Sequence, residues 1–448
     1  MDFWILAGFL AVAFLTGGSS RADVQSLVIL RPLAAFAAAY ALAGLQWPQL
    51  RRFPITAALL AFTILIPLLH LIPLPPAIWT GLPGRSLVAE IDETSGLGSI
   101  WRPMSMAPAM TRNALYSLIV PLAVLLLAVR LDDRERARLI PTMILFGIFS
   151  GILSVLQLLG RPDGPLFFYE QTMNGAAVGP FSNRNHNGVF LACMFPLLTA
   201  WVVQRLAQRK GARRIWFAAA VAIVVALLEL VIGSRAGLLC AGLAIVISPL
   251  LGLDWLRDAS AQARRFALWG YLAGVGALGS LAALFIAFSR AEAFSRLIAS
   301  DMTDNRRIEV WLPALKMTEH YFPFGSGAGS YVPVFQVDEP DSILTWTYSN
   351  HVHNDWIEVV LTAGLPGALL LIATVAAVLF LSGRAWTRRQ LSPASRLRAR
   401  MASLVIVLLG LASLGDYPLR TPSLMAFFVV MLLWLEAPAS EDAPLVSS

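Results

Sequence analysis

Long apolar runs separated by shorter polar stretches organise this chain almost from end to end. They cover about 3–17, 24–45, 54–74, 113–130, 138–159, 187–206, 215–232, 236–253, 267–288, 356–382, 401–415 and 422–436. A spanning helix takes about 20 apolar residues and satisfies its own backbone groups where no water can. The pattern therefore predicts an all-α integral membrane protein with about 12 transmembrane helices. The first run, MDFWILAGFLAVAFLTGG, has the apolar core of a signal peptide but carries Asp2 where a signal peptide has Lys or Arg, so it reads as an uncleaved first span.

The ninth and tenth runs are separated by the longest polar segment, Ser289 to Asp355. The chain divides accordingly into 1–288 with spans one to nine, a loop over 289–355 that carries the chemistry, 356–436 with spans ten to twelve, and a polar tail over 437–448. Inside the loop, Thr303 or Asp304 can cap a short amphipathic helix. Its apolar positions are Ile308, Trp311, Leu312 and Leu315, with Pro323 and the GSGAGS turn as its stop. Pro313 is expected to kink or shorten it, and the helix is expected to rest on the outer membrane surface or on the bundle. A second outer loop, about 75–112, carries scattered charge and suggests no chemistry.

Composition changes the picture by exclusion. At 57% hydrophobic and 14% charged, against about 25% charged in soluble domains, the chain is not a water-soluble enzyme. The net charge of +7 does not point to nucleic acid, because basic excess in a membrane protein gathers in cytoplasmic loops. With a cytoplasmic N-terminus, the inner loops hold 20 of the 34 basic residues although the outer loops are roughly twice as long. Both termini are thus expected in the cytoplasm and the long loop outside. Cys193 and Cys240 lie in apolar runs and form no metal or disulfide framework. The glycines 325, 327 and 329 follow no strand, and read as turn chemistry rather than a phosphate loop.

Ionisable residues at span boundaries are costly and should face a wet interior. Here they collect at one depth: Arg31, Glu229, Arg235, Glu358, Asp416 and Arg420 in or beside spans, joined by Arg184, Arg307, His351 and His353 from adjoining outer segments. An outward-facing polar cavity rich in arginine follows. The planar guanidinium suits phosphate, so a lipid phosphate or diphosphate is the matching substrate. Arg31 lies too deep to be a plain interfacial anchor, which leaves phosphate binding or a structural ion pair. A transporter of lipid-linked oligosaccharide is the alternative, but carriers of this size show two similar halves and midplane polar sites. This chain has no visible repeat, and its polar cluster lies at the outer boundary.

Four segments carry a family resemblance: GPFSNRNHNG at 179–188, SRAG at 234–237, RIEVW at 307–311 followed by PFGSGAGSY at 323–331, and HVHNDWIEVVLTAGLPG at 351–367. In this order around a long outer loop, they resemble the O-antigen ligase and polymerase superfamily of bacterial envelope glycosyltransferases, over roughly the last 270 residues. The resemblance implies a helical GT-C-type fold in the inner membrane with its active site facing the periplasm. It implies transfer of a glycan from an undecaprenyl-diphosphate-linked donor to a sugar hydroxyl, on a glycan or lipid A core acceptor, without metal or other cofactor. It also implies work alongside polysaccharide assembly machinery. By the motif match, Arg235 and Arg307, with Arg31 as companion, bind the diphosphate. His353 takes the acceptor proton, as a histidine titrating near neutrality can. Arg184, Asn183, Asn185 and His186 order the loop or bind sugar. Glu358, Asp416 and Arg420 orient His353 or pair with arginines. His351, two residues before His353 on an extended segment, is expected to point elsewhere.

Overall fold

A computed structural model describes residues 1–98, 100–207, 212–258, 265, 276, 279, 302–344, 348–387 and 391–436. The ninth apolar run, apart from Gly276 and Gly279, and the 437–448 tail lie outside the described residues. The principal helices are α1 (Asp2–Thr16), α2 (Leu27–Ala43), α3 (Pro54–His70), α4 (Pro108–Ala128), α5 (Leu139–Leu159), α6 (Arg184–Leu206), α7 (Ala212–Ile232), α8 (Arg235–Ile247), α9 (Met302–Tyr321), α10 (Asp355–Thr387), α11 (Pro393–Ala412) and α12 (Pro422–Glu436). The sheet among the described residues is two residues per strand, Pro73–Leu74 against Arg102–Pro103.

The fold is a multi-pass helical membrane protein. Six helices among the described residues are long and apolar enough to cross a membrane, against the twelve spans expected from the runs. The helices α1, α2, α3 and α12 are apolar but shorter. The difference at α11 has a clear physical origin: the helix begins at Pro393, eight residues before its apolar run, and takes in Arg396, Arg398 and Arg400. Those charges are neutralised in place. Arg398 pairs with Asp133, while Arg396 and Arg400 reach Asp254 at 2.6 and 3.1 Å.

That polar end of the bundle continues around Asp2, which accepts from Tyr40 at 2.8 Å and Arg130 at 2.9 Å. It also holds Glu436, whose carboxylate caps the start of α3 by accepting from the Ile55 and Thr56 amides at 2.7 and 2.8 Å. The opposite end holds Gly17, whose carbonyl accepts from the Ser423 amide, and Gly18, whose carbonyl accepts from the Ser182 amide. The chain thus passes back and forth between two polar ends. Between them Phe14, Phe190 and Phe427 pack at 4.9 and 5.5 Å, joining α1, α6 and α12.

The loop helix α9 corrects two expectations. It runs on through Pro313. Its packed face is Val310, Ala314, Met317 and Tyr321, while Leu312 and Leu315 are exposed. That face rests on α10, the bundle side of the two placements expected.

Beyond α9, the GSGAGS turn docks on a break in α10. Gly364 sits at φ 59° and ψ −144°, inside what is otherwise one helix. The interruption frees the backbone to bond the turn. Pro323 O accepts from the Leu365 amide at 2.7 Å, Leu361 O from Ser326 at 3.1 Å, and Thr362 O from Gly327 at 2.8 Å. Gly364 and Gly325 meet backbone to backbone, and a Cβ on Gly325 would lie 2.6 Å from the Gly364 nitrogen.

The 75–112 loop, without assignable chemistry in the sequence, clamps this turn from the other side. His70 at the end of α3 accepts from the Ala328 amide and bonds Phe324 O, at 3.0 and 3.2 Å. Buried Arg85 donates to Gly325 O at 2.8 Å and Met104 O at 2.6 Å. Burial lowers the Arg85 guanidinium to a pKa of about 10, with Tyr321 acting the other way.

Candidate functional site

Three helices open at the same end of the bundle, each with its first turn capped by a side chain. Asn183 accepts from the Asn185 amide at 2.9 Å to start α6, and Ser234 accepts from Gly237 at 3.1 Å to start α8. Asn354 accepts from Trp356 and Ile357 to start α10. Helix starts carry partial positive charge and suit anions. The cap residues are drawn from the same motifs that the sequence singles out, so SNRN, SRAG and HN set helix starts as well as supplying side chains.

Asp416 is the hub of the first cluster. Its buried carboxylate accepts from Asn183 at 3.2 Å, Asn185 at 2.7 Å and the Tyr417 amide at 3.0 Å. His353 Nδ1 lies 3.4 Å from it and His186 Nε2 3.7 Å. Asn183, Asn185, His186 and His353 thus converge on Asp416. His353 has φ 57°, a left-handed conformation that non-glycine residues adopt at some cost, and this turns the chain between extended residues and α10.

The second cluster centres on Glu358 and Arg420. Arg420 donates to Asp355 at 2.6 Å and reaches Glu358 at 3.0 Å. Burial works against its charge, but Glu358 and Asp355 hold the guanidinium above its ordinary pKa. Glu358 also binds His351 Nδ1 at 3.0 Å and accepts from the Val352 amide at 2.9 Å. His351 and His353 do not diverge as expected. Both rings face Tyr417, with centroids 4.2 and 5.0 Å away, and His186 meets the same ring at 5.1 Å. Tyr417, Asp355 and His351 are the residues that sequence reasoning missed or set aside. The signal available was the DYPLR run between two spans, and the seven-residue spacing from His351 to Glu358 across a capped helix start.

The arginines are distributed. Arg31 donates to Asn113 at 2.7 Å and Ser117 at 2.9 Å, bridging α2 and α4. Arg184 and Arg235 are the first residues of α6 and α8, which meet where a Cβ on Gly237 would lie 3.1 Å from Gly188 Cα. Arg235 is exposed. Arg307 lies on α9, and its side chain is outside the described residues.

Below the second cluster lies a cavity of about 770 Å³. Its polar end holds His351, Asp355, Glu358, Arg420, Ser20 and Arg21, and the GSGAGS turn walls it through Ala328 and Gly329. Downward it is apolar, between α3, α4, α10, α11 and α12, through residues such as Ile66, Pro121, Leu371, Val378, Ile406 and Phe428. On α10 the lining runs from Glu358 to Leu379, about 30 Å at 1.5 Å per residue. That is about the thickness of a bilayer's hydrocarbon core. The cavity thus joins a charged end to an apolar shaft of about that length.

Residues 225–372 match the family model described as O-antigen ligase, which supports the resemblance to the O-antigen ligase and polymerase superfamily. The match suggests activity of the ligase or polymerase type. It spans SRAG, RIEVW, the GSGAGS turn and both histidines, and leaves Asn183 to His186, Asp416 and Arg420 outside its bounds. No curated protein matches the chain.

Proposed function

We propose that this protein transfers a glycan from undecaprenyl diphosphate to a sugar hydroxyl during polymerisation or ligation of a surface polysaccharide, at the periplasmic face of the inner membrane. The observation that carries this reading is the cavity: a shaft as deep as a leaflet pair, apolar along its length, with charge at one end only. A polyprenyl chain fits the shaft, and its diphosphate then lies at the level of the histidines.

In the reaction the bond between sugar C1 and the diphosphate oxygen breaks, and undecaprenyl diphosphate leaves with the electron pair. The acceptor oxygen forms the new bond to C1 and loses its proton to His353. Asp416, beside His353 Nδ1, orients the ring and stabilises the imidazolium that forms. Arg235 and Arg307 stabilise the departing charge by preorganised electrostatics, with Arg31 supporting the α2 and α4 wall. Glu358 and Arg420 fix the opening of α10, and Arg184, Asn183, Asn185 and His186 shape the acceptor side. A growing glycan or a lipid A core is the acceptor, and assembly machinery the partner. Charged lining residues confined to one end of the cavity speak against the carrier alternative, which needs polar sites near midplane.

His353→Ala tests the reading. Transfer should fall about 100-fold to 10,000-fold, the usual contribution of a positioned base, with donor lipid accumulating on the outer leaflet. Accumulation on the inner leaflet would instead mark a flippase. Arg235→Lys and Arg307→Lys should each cripple transfer, because lysine keeps the charge but loses the bidentate fork.

A further inference from the structure

At the polar end of the cavity the charges do not balance in favour of an anion. Arg420 faces two carboxylates, Asp355 at 2.6 Å and Glu358 at 3.0 Å. That buried trio sets one guanidinium against two carboxylates, and a lipid diphosphate seated there needs another cation. Arg21 supplies one. It lines the same cavity from the segment between α1 and α2, a residue that neither the motifs nor the family match includes.

The segment is held in place by long-range bonds. Gly18 donates to the Tyr169 hydroxyl at 2.6 Å, and Ser20 Oγ lies 3.1 Å from His351 Nε2. Arg21 is therefore anchored one residue from the histidine that opens the cavity. Its guanidinium lies 5.5 Å over the Tyr348 ring, with the side chain only 23% exposed. Its partner Asp23, at 3.0 Å, is 69% exposed. The pair is bidentate, Nε to Oδ1 at 3.1 Å and Nη2 to Oδ2 at 3.0 Å, but water competes for a carboxylate so exposed, and an incoming phosphate offers the same fork more acceptor oxygens and charge.

We propose that Arg21 is a headgroup-binding residue: its guanidinium exchanges Asp23 for the phosphate oxygens of a polyprenyl diphosphate at the cavity mouth. This rests on the reading of the cavity as the site of the lipid donor. The proposal makes opposite predictions for the two members of the pair, which a structural role for Arg21 does not.

The experiment measures binding of radiolabelled undecaprenyl diphosphate to the full chain in nanodiscs. Arg21→Ala should weaken binding at least tenfold, on the scale of one lost charge-assisted contact. Asp23→Asn, which removes the competing carboxylate, should tighten it severalfold. If wild type binds and neither variant shifts the affinity, Arg21 is no headgroup residue, while the cavity reading stands. If Arg21→Ala fails to fold, the Asp23→Asn result alone decides. If wild type does not bind the lipid at all, the cavity reading falls and this proposal with it.

Discussion

Gly364→Ala should release the GSGAGS turn from α10. At φ 59° and ψ −144° Gly364 occupies a region open to glycine almost alone, and an alanine held there costs about 1 to 3 kcal/mol. The new Cβ would also lie 2.2 Å from Pro323 O and 2.6 Å from the Gly325 nitrogen. Both contacts are backbone, so no side chain can swing away; the turn itself must retreat. Retreat breaks the bonds from Leu365 to Pro323, Ser326 to Leu361 and Gly327 to Thr362, each contributing about 1 kcal/mol net. The expected destabilisation is about 4 to 6 kcal/mol.

Gly383→Ala is the matched control on the same helix, because a Cβ there meets nothing within 4 Å. It should leave stability unchanged or raise it by up to about 1 kcal/mol, the helix propensity difference. Unfolding of both variants in mixed micelles, followed by circular dichroism and tryptophan emission, reads the difference. Proteolysis near 325–330 should rise in Gly364→Ala only. Equal midpoints for the two variants would refute the docking of the turn on the broken helix.

Glu358→Ala leaves Arg420 short of one carboxylate and should cost about 3 to 5 kcal/mol; adding Arg420→Met should not recover it, because Asp355 then loses its cation, and recovery in a double-mutant cycle would contradict the three-residue group. Asp416→Asn should keep the protein folded while transfer falls by a factor close to that of His353→Ala, and normal transfer by this variant would remove Asp416 from the mechanism. Glu436→Gln, at the opposite end, should lower stability by about 1 to 3 kcal/mol through the weakened α3 cap and leave the affinity for donor lipid untouched.

The helical membrane fold was legible because apolar run length is a direct consequence of bilayer thickness. The cluster at Asp416 was legible in its parts, since Asn183, Asn185, His186 and His353 lie in polar motifs at span boundaries. Its arrangement was not, because Asp416 is some 60 residues past His353 and the two meet only through packing. The demotion of His351 failed for a local reason. Side chains two residues apart on an extended segment share a face, and His351 and His353 both meet Tyr417. The 75–112 loop gave no signal because Arg85 works on the backbone carbonyls of Met104 and Gly325, which leave no trace in residue type. The break at Gly364 was equally hidden, in a run that reads as continuous apolar helix.

The most direct measurement supplies purified protein in nanodiscs with an undecaprenyl-diphosphate-linked oligosaccharide and a sugar acceptor, in EDTA and without nucleotide sugar. Glycosyl transfer predicts an elongated acceptor and free undecaprenyl diphosphate in equal amounts, both abolished by His353→Ala. Intact donor after prolonged incubation, with protein that binds the lipid and moves it across proteoliposomes, would contradict it.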